Sequence, residues 1–246
     1  MGMTTAVLKP TNETTSKTMN TTKISNQTLE VLKNFSSINS NILVREGNVL
    51  TTISPVKNVM AEAVVSETFE QEFGIWDLNK FLGTISLFDT PEFTFEENFV
   101  TVCSNKNNSS VRYYYSEPSL LTTVNKEINM PESVVDCTIT QKIFTDITKA
   151  ASVLQVGDIA IRSNGNELEL VALDKKDSTS NSYSISLGEL PHGNHDFVFY
   201  FKAENLKMMA GDYDVNITEK VVSRFTNTNQ SLKYWVALES DSYYRS

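Results

Sequence analysis

The chain has 246 residues, 40% of them hydrophobic, and a formal net charge of −9. This length and composition suffice for packed cores in one large domain or two smaller ones, and no run of about 18 apolar residues is present to predict a membrane-spanning helix. The negative net charge argues against nucleic-acid binding by the surface as a whole, but it is compatible with one positively charged region in an otherwise acidic chain.

The first predicted element after the amino terminus is a helix. Residues 1–24 are rich in Thr, Asn and Lys, offer little to bury, and are predicted to be a disordered N-terminal extension. Ser25 or Asn26 can cap a helix that runs to about Ser40. Its predicted buried stripe consists of Val31, Leu32, Phe35 and Ile38.

Strands and a second helix complete the first half. We predict a hairpin of residues 42–45 and 49–53, followed by strands at 60–65 and 69–75. Four apolar residues at helical spacing predict a helix within 76–87, namely Leu78, Phe81, Leu82 and Ile85. Asp77 complements the amino terminus of this helix. Further strands are predicted at 93–95, 99–103 and 111–115, and residues 116–130, which lack a clear period, are interpreted as a connector.

The second half shows the same order of predicted elements. A strand at 134–139 precedes a helix at 140–154, and strands at 159–163 and 167–173 flank Asn164-Gly165, a strong hairpin signal. The remaining elements are strands at 182–187 and 197–201, a short helix at 202–209 ended by Gly211, and strands at 213–218, 221–225 and 232–238. The repeated order predicts an α+β fold with two similar domains, each with two helices on antiparallel sheets.

The outward faces of the predicted helices carry more lysines than acids. The lysines are Lys33, Lys80, Lys142, Lys149, Lys202 and Lys207, and the acids are Glu30, Asp77, Asp146 and Glu204. The helices therefore hold two positive charges in excess, which leaves −11 for the rest of the chain. Such a small excess gains meaning only where several helices line one cavity. Lysine, a flexible point charge, then suits weak, sequence-independent contacts to phosphates.

The sequence shows no motif of catalysis or of metal binding. Cys103 and Cys137 are far apart, and reduced, buried thiols are favoured over a disulfide. His192 and His195 lie in a segment that we interpret as a plain turn rather than a metal site. There is no phosphate loop, nucleophile elbow or His-Glu-x-x-His sequence. We therefore predict that the protein is not an enzyme and needs no cofactor or metal.

Several short motifs, in order along the chain, carry a resemblance to a known family. They are residues 29–40 (LEVLKNFSSINS), 77–83 (DLNKFLG), 186–188 (SLG), 205–208 (NLKM) with 211–213 (GDY), and 236–242 (VALESDS). In sequence and spacing this set resembles the sliding clamp of T-even-type bacteriophages, from Thr28 to Ser242.

The resemblance implies a DNA-clamp fold that forms a closed homotrimeric ring around double-stranded DNA, with helices lining the hole. It implies an N-terminal clamp domain at 25–115, a connector at 116–130 and a C-terminal clamp domain at 131–246. The expected function is to tether the replicative DNA polymerase and raise its processivity in phage DNA replication, in the cytoplasm of the infected bacterial host. An ATP-dependent clamp loader and late transcription factors are the other expected partners, and no membrane is expected.

The resemblance also assigns site residues. Lys33 and Lys207 occupy matched motif positions for DNA binding, Lys149 falls at a basic position of the family, and Lys80 lies where the compared relative has glycine. Lys142 and Lys202 rest on predicted helix geometry alone.

Two further sets of residues follow from the resemblance. The subunit interface is expected at two edge strands that carry Tyr113, Tyr115, Tyr183 and Ile185. The connector residues Leu120, Leu121 and Val124 are the candidate pocket for apolar tail peptides of partners.

Two alternatives stay open at this point. One is a coactivator of phage late transcription as the main role. The other is a non-enzymatic virion or structural protein, suggested by the Thr- and Asn-rich, β-rich composition.

Overall fold

The computed structural model describes residues 21–104, 108–124, 129–190, 196–219 and 222–245. Its three α-helices are α1 (Asn26–Ile38), α2 (Leu78–Ile85) and α3 (Gln141–Leu154). Short 3₁₀ turns occur at Pro118–Leu120 and Ala203–Asn205. The strands are β1 (Thr21–Thr22), β2 (Ile42–Val44), β3 (Gly47–Ile53), β4 (Val59–Phe69), β5 (Phe73–Ile75), β6 (Glu92–Phe95), β7 (Phe99–Ser104), β8 (Ser109–Tyr114), β9 (Ser133–Ile139), β10 (Asp158–Asn164), β11 (Glu167–Leu173), β12 (Tyr183–Glu189), β13 (Asp196–Lys202), β14 (Tyr213–Thr218), β15 (Val222–Asn227), β16 (Leu232–Ala237) and β17 (Tyr243–Arg245).

A six-stranded antiparallel sheet joins the two halves of the chain. Its order is β3-β4-β16-β15-β14-β9, so two strands come from the first half and four from the second. The joint is the pairing of β4 with β16, which sets Val59 opposite Val236 and Ala63 opposite Leu232. Because these side chains are buried, the joint is both a hydrogen-bonded ladder and part of the core.

Each half also has a sheet of its own. In the first half the order is β1-β6-β7-β8, and in the second it is β12-β11-β10-β13-β17. Among the described residues, β8 pairs only with β7, and β12 pairs only with β11. Within the described residues the outer edges of β8 and β12 are therefore unpaired, as are those of the short strands β1 and β17 at the opposite ends of the two sheets.

The helices lie against these sheets through apolar stripes, as predicted. In α1 the side chains of Val31, Leu32 and Phe35 are buried, and in α2 those of Leu78, Phe81 and Ile85. The predicted cap at Ser25 is confirmed, and Asp77 and Thr140 also cap their helices: each of the three side chains accepts a hydrogen bond from the backbone N–H three residues later.

A buried carboxylate anchors the start of α1. Glu67, on β4, accepts hydrogen bonds from the backbone N–H of Ser25 and from the hydroxyl of Thr28. Burial alone would raise the pKa of Glu67, but these hydrogen bonds outweigh it and hold the pKa below its usual value. The amino terminus of α1 is thereby fixed to the long strand β4.

Four predictions about secondary structure need correction. Residues 21–24 are ordered, since β1 pairs with β6 and Ile24 packs against the core; residues 1–20 lie outside the described part. The strands predicted at 42–45 and 49–53 do not form a hairpin. The fully buried strand β2 pairs instead with the equally buried β5, while the half-exposed strand β3 pairs with the similarly alternating β4.

The other two corrections concern strand β4 and the helix predicted in the second half, and one further strand was missed. Residues 59–69 form one continuous strand rather than two segments, and β17 was not predicted. The helix predicted at 202–209 is reduced to the turn Ala203–Asn205, because Lys202 ends strand β13 and distant side chains take the backbone groups of the residues that follow the turn. The second half therefore has one α-helix in the described residues.

Candidate nucleic-acid interface

Four of the six lysines lie exposed on α-helices; one of them, Lys142, pairs with an acid, and three form no ion pair with another described residue. These three are Lys33 on α1, Lys80 on α2 and Lys149 on α3. Each lies away from the buried stripe of its helix, and α1 packs beside α2, so Lys33 and Lys80 belong to neighbouring helices. Extended side chains at such positions can reach a polyanion without disturbing the core.

Lys142 is also exposed on α3, but it has a partner. Its ammonium lies 2.5 Å from a carboxylate oxygen of Asp146, one helical turn away. The hydrogen bond and the charge of Asp146 raise the pKa of Lys142. The positive charge therefore persists, but the adjacent carboxylate partly cancels its field.

Lys202 lies at the end of β13 rather than on a helix. Its ammonium is 2.6 Å from Asp158, which is buried on the neighbouring strand β10, and 3.9 Å from Glu239. Glu239 and Asp241 in turn contact Lys175 at 3.3 and 2.7 Å. Lys202 is thus part of an ion-pair network that binds the C-terminal segment to the sheet, which the sequence pattern did not reveal.

Lys207 is exposed in the loop that replaces the predicted helix. The carbonyl oxygen of Lys207 accepts a 3.0 Å hydrogen bond from the side-chain amide of Asn34, on α1. Since Asn34 follows Lys33 directly, the structure brings the backbones of Lys33 and Lys207 together where the two halves meet. These are the two lysines that the resemblance places on matched motif positions.

The tyrosines of the predicted first edge strand divide between two faces. Tyr113 packs on Phe81 with ring centroids 5.0 Å apart, and Tyr115, just beyond β8, stacks on Phe73 at 5.1 Å. Burial raises the pKa of Tyr115 to about 12. Tyr114, which the sequence analysis did not single out, is 63% exposed. Alternation along a strand identifies it as the large side chain directed away from the core.

The second predicted edge strand is β12. Tyr183 at its start is 40% exposed, whereas Ile185 is half-buried and packs against the core. Both residues lie on the unpaired edge of the five-stranded sheet. Exposed edge strands readily pair with another chain, so β8 and β12 are available for association.

The connector is fixed to the first half. The backbone N–H of Thr122 donates to the Asn41 side chain at 3.1 Å, and Arg45 donates to the carbonyl of Val124 at 3.0 Å. Leu121 is only 9% exposed and lies so close to Gly74 that an added Cβ there would be 2.6 Å from its methyl carbon. Leu120 is 63% exposed. Of the three candidate pocket residues, Leu120 is therefore the most accessible.

The described residues contain no group of three or more His, Cys, Asp or Glu side chains arranged to hold a metal ion. Cys103 and Cys137 are both free thiols, as predicted, but each residue is half-buried rather than fully buried. Burial of its thiol raises the pKa of Cys137 to about 12. His192 and His195 lie outside the described residues. None of the helices in the described ranges is long and apolar enough to cross a membrane.

Two family models match the chain on either side of residues 124–135. The DNA polymerase processivity factor model matches residues 23–123, and the model of the gp45 sliding clamp, C terminal, matches residues 136–240. The chain belongs to the sliding-clamp family. Its function is therefore that of a DNA polymerase processivity factor, as the resemblance predicted, and neither alternative role is favoured.

Sequence relatives agree with this family, and solved structures agree with its fold. Sliding clamps of Vibrio phage KVP40 and Enterobacteria phage T4 are each 29% identical, over 89% of this chain and 99% and 98% of theirs. Proliferating Cellular Nuclear Antigen from Entamoeba histolytica covers 89% of this chain, at 15% identity and a TM-score of 0.64, with 98% of its own chain matched. A Helicobacter pylori beta clamp covers 96% of this chain with 68% of its own, at 11% identity and a TM-score of 0.67. The predicted DNA-clamp fold class is confirmed.

Proposed function

We propose that three copies of this chain close into a ring around double-stranded DNA and hold the replicative DNA polymerase on it. The observation that supports the ring is that β8 and β12, the two strands that the resemblance assigns to the subunit interface, each have one edge unpaired among the described residues. An interface of β8 with the β12 of the next copy is head-to-tail, and such an interface generates a closed ring when its rotation closes. The halves would correspond to domains 25–115 and 131–246, linked by residues 116–130.

The charge distribution supports DNA in the centre of this ring. Exposed lysines on the helices, chiefly Lys33, Lys80, Lys149 and Lys207, would repeat three times around the hole. The chain as a whole carries −9, so its other surfaces repel phosphates. Lys142 and Lys202 contribute less in this arrangement, because nearby carboxylates pair with them. Sparse lysine contacts carry no sequence information, which permits sliding.

The polymerase would bind through the connector. A. fulgidus PCNA, a protein of the same fold, has been solved with the C-terminal region of FEN-1 bound. By analogy, the exposed Leu120 and the half-buried Val124 would contact an apolar tail peptide of the polymerase or another partner. Binding the enzyme at the ring and not at the template lets it stay on DNA without a tight grip. The role is non-catalytic and belongs to the cytoplasm of an infected host cell.

A closed ring must be opened before it can encircle circular DNA. In this proposal an ATP-dependent clamp loader opens it. The test combines mass and topology. Sedimentation should give a mass near three times 27.6 kDa. With the loader of the same phage and ATP, the protein should remain on nicked circular DNA and leave that DNA after it is linearised. A monomer at all concentrations, or equal retention on both forms, contradicts the ring.

A charge-reversal experiment tests the DNA-facing surface separately. The double variant Lys33→Glu, Lys207→Glu should keep the trimer but reduce retention on circular DNA and clamp-dependent polymerase processivity. Lys176→Glu is the matched control, because Lys176 is exposed in a polar loop of the second half. Unchanged processivity in the double variant contradicts the assignment of these lysines.

A further inference from the structure

The loop around Lys207 is held by side chains from outside it. Between the 3₁₀ turn and β14, residues 207–209 lack regular secondary structure. Three side chains bind their backbone: Asn34 donates to the carbonyl of Lys207 at 3.0 Å, the hydroxyl of Tyr234 accepts from the N–H of Met209 at 3.1 Å, and the hydroxyl of Tyr213 donates to the carbonyl of Met209 at 2.6 Å.

Two of these side chains also bind each other. The hydroxyl of Tyr234 donates to the amide oxygen of Asn34 at 2.7 Å. Hydrogen bonds thus run from Met209 N–H to Tyr234, from Tyr234 to Asn34, and from Asn34 to the carbonyl of Lys207. The donors and acceptors match throughout, since the Tyr234 hydroxyl accepts one hydrogen bond and donates another, while Asn34 uses its oxygen and its nitrogen once each.

This chain of hydrogen bonds is rigidly supported. Tyr234 is fully buried in the six-stranded sheet, and its ring packs edge-on against that of Tyr213 at 6.1 Å. Burial raises the pKa of Tyr234, so it stays a neutral hydroxyl able to donate. Asn34 is held by α1 of the first half. The loop is therefore positioned jointly by both halves of the chain.

We propose that Asn34 and Tyr234 are positioning residues that fix Lys207 for contact with DNA phosphate. The proposal rests on the proposed function. Without a helix, the backbone of residues 207–209 would otherwise be free to move, and a lysine on a mobile loop loses more conformational freedom when it contacts a phosphate. The Tyr234 hydroxyl accepts the Met209 N–H that a helix would have bonded, and Asn34, which follows Lys33 on α1, holds the carbonyl of Lys207.

The test measures how binding to a short linear duplex, onto which the ring can thread, depends on salt. Each phosphate contact contributes about 0.9 to the slope of log affinity against log salt concentration. Because the ring carries three copies of Lys207, Lys207→Ala should reduce the affinity lost between about 50 and 200 mM salt by about 3.5-fold for each copy that contacts a phosphate, and by up to about 40-fold if all three do. Tyr234→Phe and Asn34→Ala should each approach this reduction, and neither should reduce the slope further when Lys207 is already alanine.

Ser223→Ala is the matched control. It also removes a buried hydroxyl bonded to a backbone carbonyl, that of Val236 at 3.0 Å, but it does not touch the loop. The salt slope of this variant should equal that of the unchanged protein. A reduction as large as that of Tyr234→Phe would mean that general loosening of the sheet is responsible, and would overturn the positioning role.

A second measurement does not depend on DNA. Hydrogen exchange of the Met209 amide should accelerate by about fivefold in Tyr234→Phe, the change that corresponds to one lost hydrogen bond. If hydrogen exchange of the Met209 amide is unchanged in Tyr234→Phe, the positioning role is wrong. The same follows if Tyr234→Phe keeps the salt slope of the unchanged protein while Lys207→Ala reduces it. Either result leaves the proposed function intact. If Lys207→Ala itself leaves the slope unchanged, the DNA contact of Lys207 fails and the inference with it.

Discussion

The ammonium of Lys202 lies 2.6 Å from the carboxylate of Asp158, whose side chain is only 5% exposed. Removing the lysine would leave a buried carboxylate with little compensation. We expect Lys202→Met to lower the free energy of unfolding by about 2 kcal/mol, less than for a fully buried pair because Lys202 is partly exposed. Urea denaturation measures the change.

Lys80→Met serves as the control for that experiment, since Lys80 is exposed on α2 and should change stability only slightly. The double variant Asp158→Asn, Lys202→Met should recover part of the lost stability. Equal stabilities of Lys202→Met and the unchanged protein would show that the ion pair does not stabilise the fold.

The anchor of α1 predicts a dependence of stability on pH. Because the pKa of Glu67 is lower in the folded chain, its carboxylate stabilises the fold above the unfolded-state pKa of about 4.5. That stabilisation is lost as the pH falls through the lower, folded-state pKa. Glu67→Gln should therefore cost about 2 kcal/mol near neutral pH and less in acid, as measured by unfolding at several pH values. Glu70→Gln, at an exposed position after β4, should show neither effect.

The two faces of β8 predict opposite outcomes for neighbouring tyrosines. Tyr114→Asp should shift the trimer towards monomer with little loss of protomer stability, because Tyr114 faces outward. Tyr113→Asp should lower stability, because Tyr113 packs on Phe81 and its hydroxyl donates to the carbonyl of Asp77 at 3.1 Å. Sedimentation and thermal unfolding, run in parallel, separate the two effects. An unaltered trimer in Tyr114→Asp would exclude this face from the interface.

The connector predicts a similar contrast. Leu120→Asp should weaken binding of an apolar polymerase tail peptide by about tenfold, as loss of an exposed anchor would, while stability is retained. Leu121→Ala should lower the free energy of unfolding by about 2–3 kcal/mol, since it opens space beside Gly74. Calorimetric titration with the peptide and denaturant unfolding provide the two readings. Peptide binding that is indifferent to Leu120→Asp would place the pocket elsewhere.

Local sequence signals predicted the parts of the fold that depend on local chemistry. The positions of α1, α2 and α3, the apolar stripes of α1 and α2 and the cap of α1 were predicted to within a few residues, because periodic burial and a capping side chain are encoded within one helix. The hairpin turn at Gly165, where φ is +61°, was foreseen for the same reason. The family resemblance supplied the clamp fold, which no single pattern contains.

What sequence reasoning missed depends on residues far apart in the chain. Where a helix was expected at 202–209, strand β13 runs to Lys202, and Asn34 and Tyr234, both more than 20 residues away in sequence, bind the backbone of the loop that follows. Lys202 was predicted to be an outward-facing lysine because its partner Asp158 lies 44 residues earlier, and no local pattern indicates an ion pair at that separation. Tyr114 was not singled out because three consecutive tyrosines do not show which side chains face the core. The positions of Phe73 and Phe81, which contact Tyr115 and Tyr113, identify Tyr114 as the outward one.

The pairing of β4 with β16 has a mechanical consequence. Since a continuous ladder and a shared core join the halves, covalent continuity through the connector is not what keeps them together. Each protomer should behave as one stiff arc that bends little along its length. If three such arcs form the ring, the strain of opening it concentrates at the seams between protomers, and a loader gains access by parting one seam rather than by unhinging a subunit.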